Sequence, residues 1–164
     1  TCRYVRDGHT KYVPNAGVNP LREAAARYFQ QRSGIETSSE NILVTPGAVM
    51  SIASAFFSLL EPGDEVLLPD PGWPNYNMAA SLIHAKPIFY DLRADHQFLP
   101  DINQIDRLVT PRTKLLLLCT PSNPTGQVYD TEVIRALMQL ANRHDLWVLS
   151  DEIYADITLS LIHI

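Results

Sequence analysis

The chain has 164 residues, of which 46% are hydrophobic and 19% charged, and this ordinary globular composition excludes collagen, coiled coils and wholesale disorder. The net charge is −5 and no basic run is present, so neither nucleic acid nor an anionic membrane is expected as a partner. Cys2 and Cys119 lie far apart and outside any C-x-x-C pair, which disfavours a disulfide framework and a zinc site. The expected location is a reducing compartment, the cytoplasm.

The first predicted element is an amphipathic helix that starts at Asn19-Pro20. Asn19 is a typical N-cap residue, and Pro20 suits the first helical position. Apolar residues then recur at helical spacing to about Arg32, and Ser33-Gly34 is a stop signal.

Strands and helices alternate through the rest of the chain. Strands are predicted at 42–45, 66–68, 87–92, 115–118 and 146–149, with helices at 48–60, 76–84, 102–109 and 130–143. The apolar helix at 48–60 is too short to span a bilayer. Because fully apolar strands such as 115–118 alternate with helices, we predict an α/β fold, a three-layer sandwich around a mostly parallel sheet.

Both ends of the chain indicate a longer sequence that has been cut. The chain opens on Thr1 without a signal peptide, and residues 159–164 stop in the middle of an apolar pattern. That hexapeptide resembles the translation of a common sequencing adapter, so we expect 159–164 to be a non-native tail, with a genuine short strand as the alternative. Residues 1–158 are then expected to be one partial domain, incomplete at both ends.

Polar, Pro- and Gly-containing segments follow four of the predicted strands, at 46–49, 69–73, 119–126 and 151–154. In a parallel sheet these carboxyl ends share one edge, where open α/β folds bind ligands. Taken singly, each segment also has a structural interpretation: a tight turn at Gly47, a core or rim residue at Trp73, a turn at Asn123-Pro124 and a cap at Asp151. Their common position predicts one binding site.

Five motifs occur together and in a fixed order. They are Tyr12-x-x-x-Ala16-Gly17 with Leu21-Arg22, Thr45-Pro46-Gly47-Ala48, Pro69-Asp70-Pro71-Gly72-Trp73-Pro74, Pro121-Ser122-Asn123-Pro124-Thr125-Gly126, and Asp151-Glu152-Ile153-Tyr154. With them, residues 4–157 resemble the class I/II aminotransferases, the fold-type-I pyridoxal phosphate enzymes of the aspartate aminotransferase superfamily. The resemblance implies the large, cofactor-binding domain of such an enzyme, pyridoxal 5'-phosphate as cofactor, an amino acid and a 2-oxo acid as substrates, and a homodimer.

The resemblance also implies a role for residues in each motif. Asp151 matches the aspartate that keeps the cofactor's ring nitrogen protonated, and Asn123 and Tyr154 match the residues that hydrogen-bond its phenolic oxygen. Trp73 matches the aromatic residue that stacks on the ring.

The phosphate-binding residues are implied in the same way. Gly47, Ala48 and Val49 match a turn whose backbone amides open a helix toward the phosphate. Tyr12 matches a tyrosine that reaches the phosphate of the partner subunit.

One feature of the family has no match in this chain. The family holds its cofactor through a Schiff-base lysine that follows the Asp-Glu-x-Tyr motif, whereas Lys11, Lys86 and Lys114 all precede Asp151. The arginines that bind the substrate carboxylate and the small N-terminal arm also lie outside the matched segment. We therefore expect the longer protein to be a transaminase, its catalytic lysine to lie beyond the C-terminus, and this chain alone to be inactive.

Several functions remain compatible with these motifs. Within the fold, a carbon–sulfur lyase, an aminocyclopropane-carboxylate synthase or the aminotransferase-like domain of a transcription regulator would share them, while Trp73 and Lys11-Tyr12 favour an aspartate-type transaminase. A nucleotide-binding module would need G-x-G-x-x-G or a Walker lysine, and the sequence contains neither. An inert fragment is the third possibility.

Overall fold

The computed structural model describes residues 2–157 and divides into two compact units, Thr1–Ser51 and Ile52–Ile164. The predicted tail, 159–164, lies outside the described residues. None of the helices within residues 2–157 is long and apolar enough to cross a membrane.

The N-terminal unit contains two helices, α1 (Cys2–Arg6) and α2 (Asn19–Ser33), a short 3-10 turn (Ser39–Asn41) and the first turn of α3 (Ala48–Leu59). Helix α2 ends as predicted, because Gly34 adopts the left-handed conformation (φ 72°) and its amide donates to the Gln30 carbonyl. The predicted N-cap is wrong. Asn19 is the first helical residue, and its side-chain amide donates to Glu23 Oε1 at 2.6 Å instead of capping the helix.

The strand predicted at 42–45 is absent from the described structure, and the reason is local. Ile42 has an extended backbone (φ −109°, ψ 124°), and among the described residues the Val44 amide donates to the Ala16 carbonyl at 3.0 Å. The Arg22 guanidinium donates hydrogen bonds to the Ile42 carbonyl at 3.0 Å and to the Ser39 carbonyl at 2.6 Å. A side chain therefore occupies an acceptor that a strand ladder would use.

The second unit holds the parallel sheet. Its elements are β1 (Glu65–Asp70), α4 (Pro74–Leu82), β2 (Lys86–Asp91), α5 (Ile102–Leu108), β3 (Thr113–Cys119), α6 (Thr131–Arg143) and β4 (Trp147–Asp151), with 3-10 turns at Ala94–His96 and Ala155–Ile157. The strand order is β2-β1-β3-β4, and every pairing is parallel. The α/β class and the remaining predicted elements are confirmed.

Helices cover both faces of this sheet. Alternate residues of the central strands enter two separate cores, with Leu68 and Leu117 in one and Leu67 and Leu116 in the other. The first core also contains residues of α3 and α4, and the second contains residues of α5 and α6. Each buried leucine contributes roughly 1.5–3 kcal/mol, so the apolar run of β3 stabilises both faces at once and forms the middle of three layers.

Candidate functional site

The carboxyl edge of the sheet carries three of the four segments predicted to form a site. Trp73 follows β1, Asn123 lies in the loop after β3, and Asp151 is the last residue of β4. Because β1 neighbours β3 and β3 neighbours β4, the parallel order brings these strand ends side by side. In the β3–β4 register, Cys119 stands opposite Asp151.

Asp151 is a buried carboxylate held by neutral donors. Its side chain accepts the Tyr76 hydroxyl at Oδ2 (2.7 Å) and the Ile153 amide at Oδ1 (3.2 Å), and the residue is only 7% exposed. No ion pair formed among residues 2–157 includes Asp151. A buried carboxylate is costly unless a cation compensates it, so this position favours a cationic group on a ligand.

Tyr76 is a site residue that sequence reasoning missed. It lies in α4, is buried, and bonds to a residue 75 positions away in sequence. Burial raises the pKa of its hydroxyl far above the ordinary value, and the neighbouring Cys119 and Asp151 raise this pKa further, so the hydroxyl remains a proton donor. The available signal was spacing, because residues three apart at the start of a helix, such as Trp73 and Tyr76, share a face.

Trp73 is half-buried at the start of α4. Pro74 begins the helix directly after it, and the Trp73 indole meets the Tyr76 ring edge-on with centroids 5.5 Å apart. The indole also packs against the core that contains residues of α3 and α4. These contacts hold the aromatic plane beside the carboxyl edge.

Gly72 controls how the chain reaches Trp73. A Cβ at this position would collide with the Pro69 carbonyl oxygen and would meet Pro69 Cγ at 3.0 Å, so the turn has no room for a side chain. We expect Gly72→Ala to displace Trp73 and to lower the free energy of unfolding by about 1–3 kcal/mol. Tryptophan fluorescence in a Trp147→Phe background and chemical denaturation measure both effects.

The control for that substitution is Gly126→Ala. Gly126 lies in the loop after β3 at φ 73°, and a Cβ there would meet nothing within 4 Å. Its cost is therefore backbone strain without displacement of Trp73. Equal fluorescence changes in the two variants would contradict the role given to Gly72.

Asn123 and Tyr154 meet at the same edge. The Asn123 side-chain amide donates to the Tyr154 hydroxyl at 3.3 Å and so joins the loop after β3 to the turn after β4. The loop is closed by the Ser122 amide on the Gln127 carbonyl at 2.9 Å and by the Gly126 amide on the Ser122 carbonyl at 2.8 Å. The two side chains that are predicted to hydrogen-bond the same cofactor oxygen are thus in contact with each other.

The predicted phosphate turn belongs to the N-terminal unit. Gly47 has φ 89°, its carbonyl accepts the Thr45 hydroxyl at 3.0 Å, and α3 starts at the next residue. The amides of Ala48 and Val49 form no hydrogen bond with the described residues, as expected for a first helical turn. Tyr12 is fully exposed. That Tyr12, Gly47, Ala48 and Val49 bind the same ligand as Asp151 stays a prediction.

Comparison with known proteins gives a consistent result. The family described as aminotransferase class I and II matches residues 5–161. The aspartate aminotransferase of Pyrococcus horikoshii is 39% identical over 93% of this chain and 39% of its own length. The aspartate/prephenate aminotransferase of Thermus thermophilus is also 39% identical, over 93% of this chain and 40% of its own length.

Solved structures agree with the sequence relatives. An alanine aminotransferase from Pyrococcus furiosus superposes with a TM-score of 0.93 at 31% identity, over 99% of this chain and 42% of that one. A double mutant of Thermus thermophilus aspartate aminotransferase superposes with a TM-score of 0.89 at 38% identity, over 93% of this chain and 40% of that one. This chain thus spans about 40% of the length of the relatives that it matches. It belongs to the class I and II aminotransferases and has the parallel α/β architecture of their fold-type-I structures.

Proposed function

We propose that this chain is the cofactor-binding part of a pyridoxal-phosphate-dependent aminotransferase, which exchanges the amino group of an amino acid with the oxo group of a 2-oxo acid. The observation that carries the proposal is the buried Asp151 carboxylate, which neutral donors hold at the carboxyl edge beside Trp73, Asn123 and Tyr154. Relatives named aspartate aminotransferase and aspartate/prephenate aminotransferase make aspartate the first amino donor to test. The lyase, synthase and regulator alternatives are not favoured, because relatives that are 39–40% identical to this chain are named aminotransferases.

The residues at the carboxyl edge fit this cofactor chemically. Bound pyridoxal phosphate supplies an electron sink for the electron pair left at the substrate's Cα. The Asp151 carboxylate suits the ring nitrogen because a nearby negative charge favours the protonated form of that atom. The Asn123 amide and the Tyr154 hydroxyl can both donate to the phenolic oxygen, and Trp73 offers an apolar plane that excludes water from one face of the ring.

The phosphate is assigned to the N-terminal unit. The unpaired amides of Ala48 and Val49, which follow Gly47 at the start of α3, suit an anion because the helix dipole and the free N–H groups act together. Tyr12 is proposed to reach the phosphate of the partner subunit in a homodimer, and its full exposure supports that role.

The proposal extends to the domain boundaries and to the location of the protein in the cell. We assign residues 1–158 to a partial cofactor-binding domain, 159–164 to a non-native tail, and the Schiff-base lysine to a part of the protein after this sequence. Cytoplasmic location is supported by the free thiols of Cys2 and Cys119, since a reducing compartment keeps thiols reduced.

The test is Asp151→Asn in the full-length protein. We expect the rate of keto-acid formation from aspartate and 2-oxoglutarate to fall by about 10²–10³-fold, because the isosteric amide cannot hold the ring nitrogen in its charged form. Asp145→Asn is the matched control, because the substitution removes the same charge from an exposed residue. Asp145 has φ 54°, a left-handed conformation that asparagine also adopts. Full activity of Asp151→Asn would contradict the proposal.

A further inference from the structure

We propose that Tyr76 is the positioning residue of Asp151: its hydroxyl fixes the carboxylate that faces the cofactor without touching the cofactor itself. The inference rests on the proposed function and deepens it, because it assigns a role to a residue outside the motifs. The observation behind it is the buried hydrogen bond of 2.7 Å between the Tyr76 hydroxyl and Asp151 Oδ2.

Two donors determine how the Asp151 carboxylate is turned. Tyr76 binds Oδ2 at 2.7 Å, and the Ile153 amide binds Oδ1 at 3.2 Å, so each oxygen has one donor and keeps a free lone pair for a ligand. The tyrosine bond is the shorter of the two and comes from a helix packed on the sheet. The amide comes from the turn that directly follows β4. Tyr76 is therefore the stronger constraint.

Cys119 makes the direction of the Tyr76 hydroxyl unambiguous. Cys119 pairs with Asp151 in the sheet register and is buried in the same core as Tyr76. Its thiol hydrogen points to the Pro121 carbonyl at 3.4 Å. A thiol is a weak acceptor, whereas a carboxylate forms charge-assisted bonds, so the single hydroxyl proton goes to Asp151.

The expected consequence is a loss of orientation when the hydroxyl is removed. In Tyr76→Phe the ring still fills the core, but the Ile153 amide alone holds the carboxylate, which can then rotate. Misplacing a group by about 1 Å costs roughly 10²-fold in rate, so we expect kcat of the full-length protein to fall by about 10–10²-fold. KM for the amino donor should change little, since Tyr76 does not touch the substrate.

The first readout needs no cofactor. We expect the Ile153 amide in apo Tyr76→Phe to exchange its hydrogen about 10-fold faster, because its acceptor is no longer fixed. Tyr90→Phe is the matched control: Tyr90 is also a buried tyrosine, but its hydroxyl donates to the Leu117 carbonyl at 2.9 Å in the other core. That variant should leave Ile153 exchange unchanged although it also loses a buried hydrogen bond.

The second readout is the bound cofactor itself. In Tyr76→Phe the pH dependence of the cofactor's absorbance should shift, and Tyr76→His, which restores a ring with a donor, should recover part of kcat. An unchanged spectrum, kcat and Ile153 exchange in Tyr76→Phe would overturn the proposal, as would equal losses in Tyr90→Phe. If the unmodified protein binds no pyridoxal phosphate but Ile153 exchange still responds, the positioning of Asp151 is supported and the proposed function fails.

Discussion

The 164-residue chain, expressed as it stands, is expected to produce no keto acid above a blank of pyridoxal phosphate and amino donor. A positioned proton-transfer group contributes about 10²–10⁴-fold in rate, and the family's group is a lysine that also binds the cofactor covalently. Lys86 is the first residue of β2 and Lys114 the second residue of β3, so both lie at the amino ends of parallel strands. Asp151 lies at the carboxyl ends, on the opposite edge of the sheet.

Neither of these lysines can take over the role without leaving its strand. Lys86 Nζ also forms an ion pair with Glu65 Oε1 at 3.1 Å. The measurement is keto-acid formation from aspartate by purified chain, with the full-length protein as the positive control. Turnover above the blank that disappears on changing Lys11, Lys86 or Lys114 to Ala would show that one of them reaches the cofactor.

Glu65→Gln is expected to lower the free energy of unfolding by about 1–3 kcal/mol, because it weakens the hydrogen bonds that the buried Glu65 carboxylate accepts at the amino ends of three strands. Glu65 is 3% exposed and accepts from the Thr110 hydroxyl at 2.5 Å, Lys86 Nζ at 3.1 Å and the Thr113 hydroxyl at 3.3 Å. The amide of a glutamine can replace only part of this set. Urea denaturation at neutral pH measures the loss.

The free energy of unfolding should also depend on pH through Glu65. The Thr110 hydrogen bond is the largest cause that lowers the pKa of Glu65, burial opposes it, and Lys86 and Thr113 add to the lowering. A carboxyl whose pKa is lower in the folded state stabilises the fold above its ordinary pKa, near 4.5, and this contribution is lost as pH falls through the lowered value. The Gln variant should lack this part of the acid destabilisation.

The control for both measurements is Glu132→Gln. Glu132 is exposed and pairs with Arg135 one helical turn away, a type of pair that contributes little. We expect its urea midpoint to equal that of the unmodified chain. An equal loss in the two variants, or an unchanged acid dependence in Glu65→Gln, would contradict the role given to the buried carboxylate.

The sheet was predictable because its signals are local. The four leucines 115–118 indicate a strand buried on both faces, and Asp130 indicates the start of α6, whose cap it forms by accepting the Val133 amide at 2.8 Å. The prediction of a strand at 42–45 was wrong because Arg22, a residue 20 positions away, donates a hydrogen bond to the Ile42 carbonyl. No local pattern encodes that competition.

The candidate site was predictable only in part, for a related reason. Trp73, Asn123 and Asp151 stand in motifs at strand ends, and a parallel sheet brings such ends together. Tyr76 stands inside a helix and looks like a core residue, because its function depends on a hydroxyl that meets Asp151 across 75 residues of sequence. Contacts of this kind follow from the packing of α4 on the sheet rather than from any motif.

A crystal structure of the full-length protein grown with pyridoxal phosphate would locate the cofactor relative to Asp151. We expect the cofactor's ring nitrogen within about 2.7–3.2 Å of an Asp151 carboxylate oxygen, with Asn123 and Tyr154 at the phenolic oxygen and Trp73 against the ring. A cofactor bound at another edge of the sheet, or an Asp151 carboxylate that pairs with a protein cation instead, would contradict this prediction.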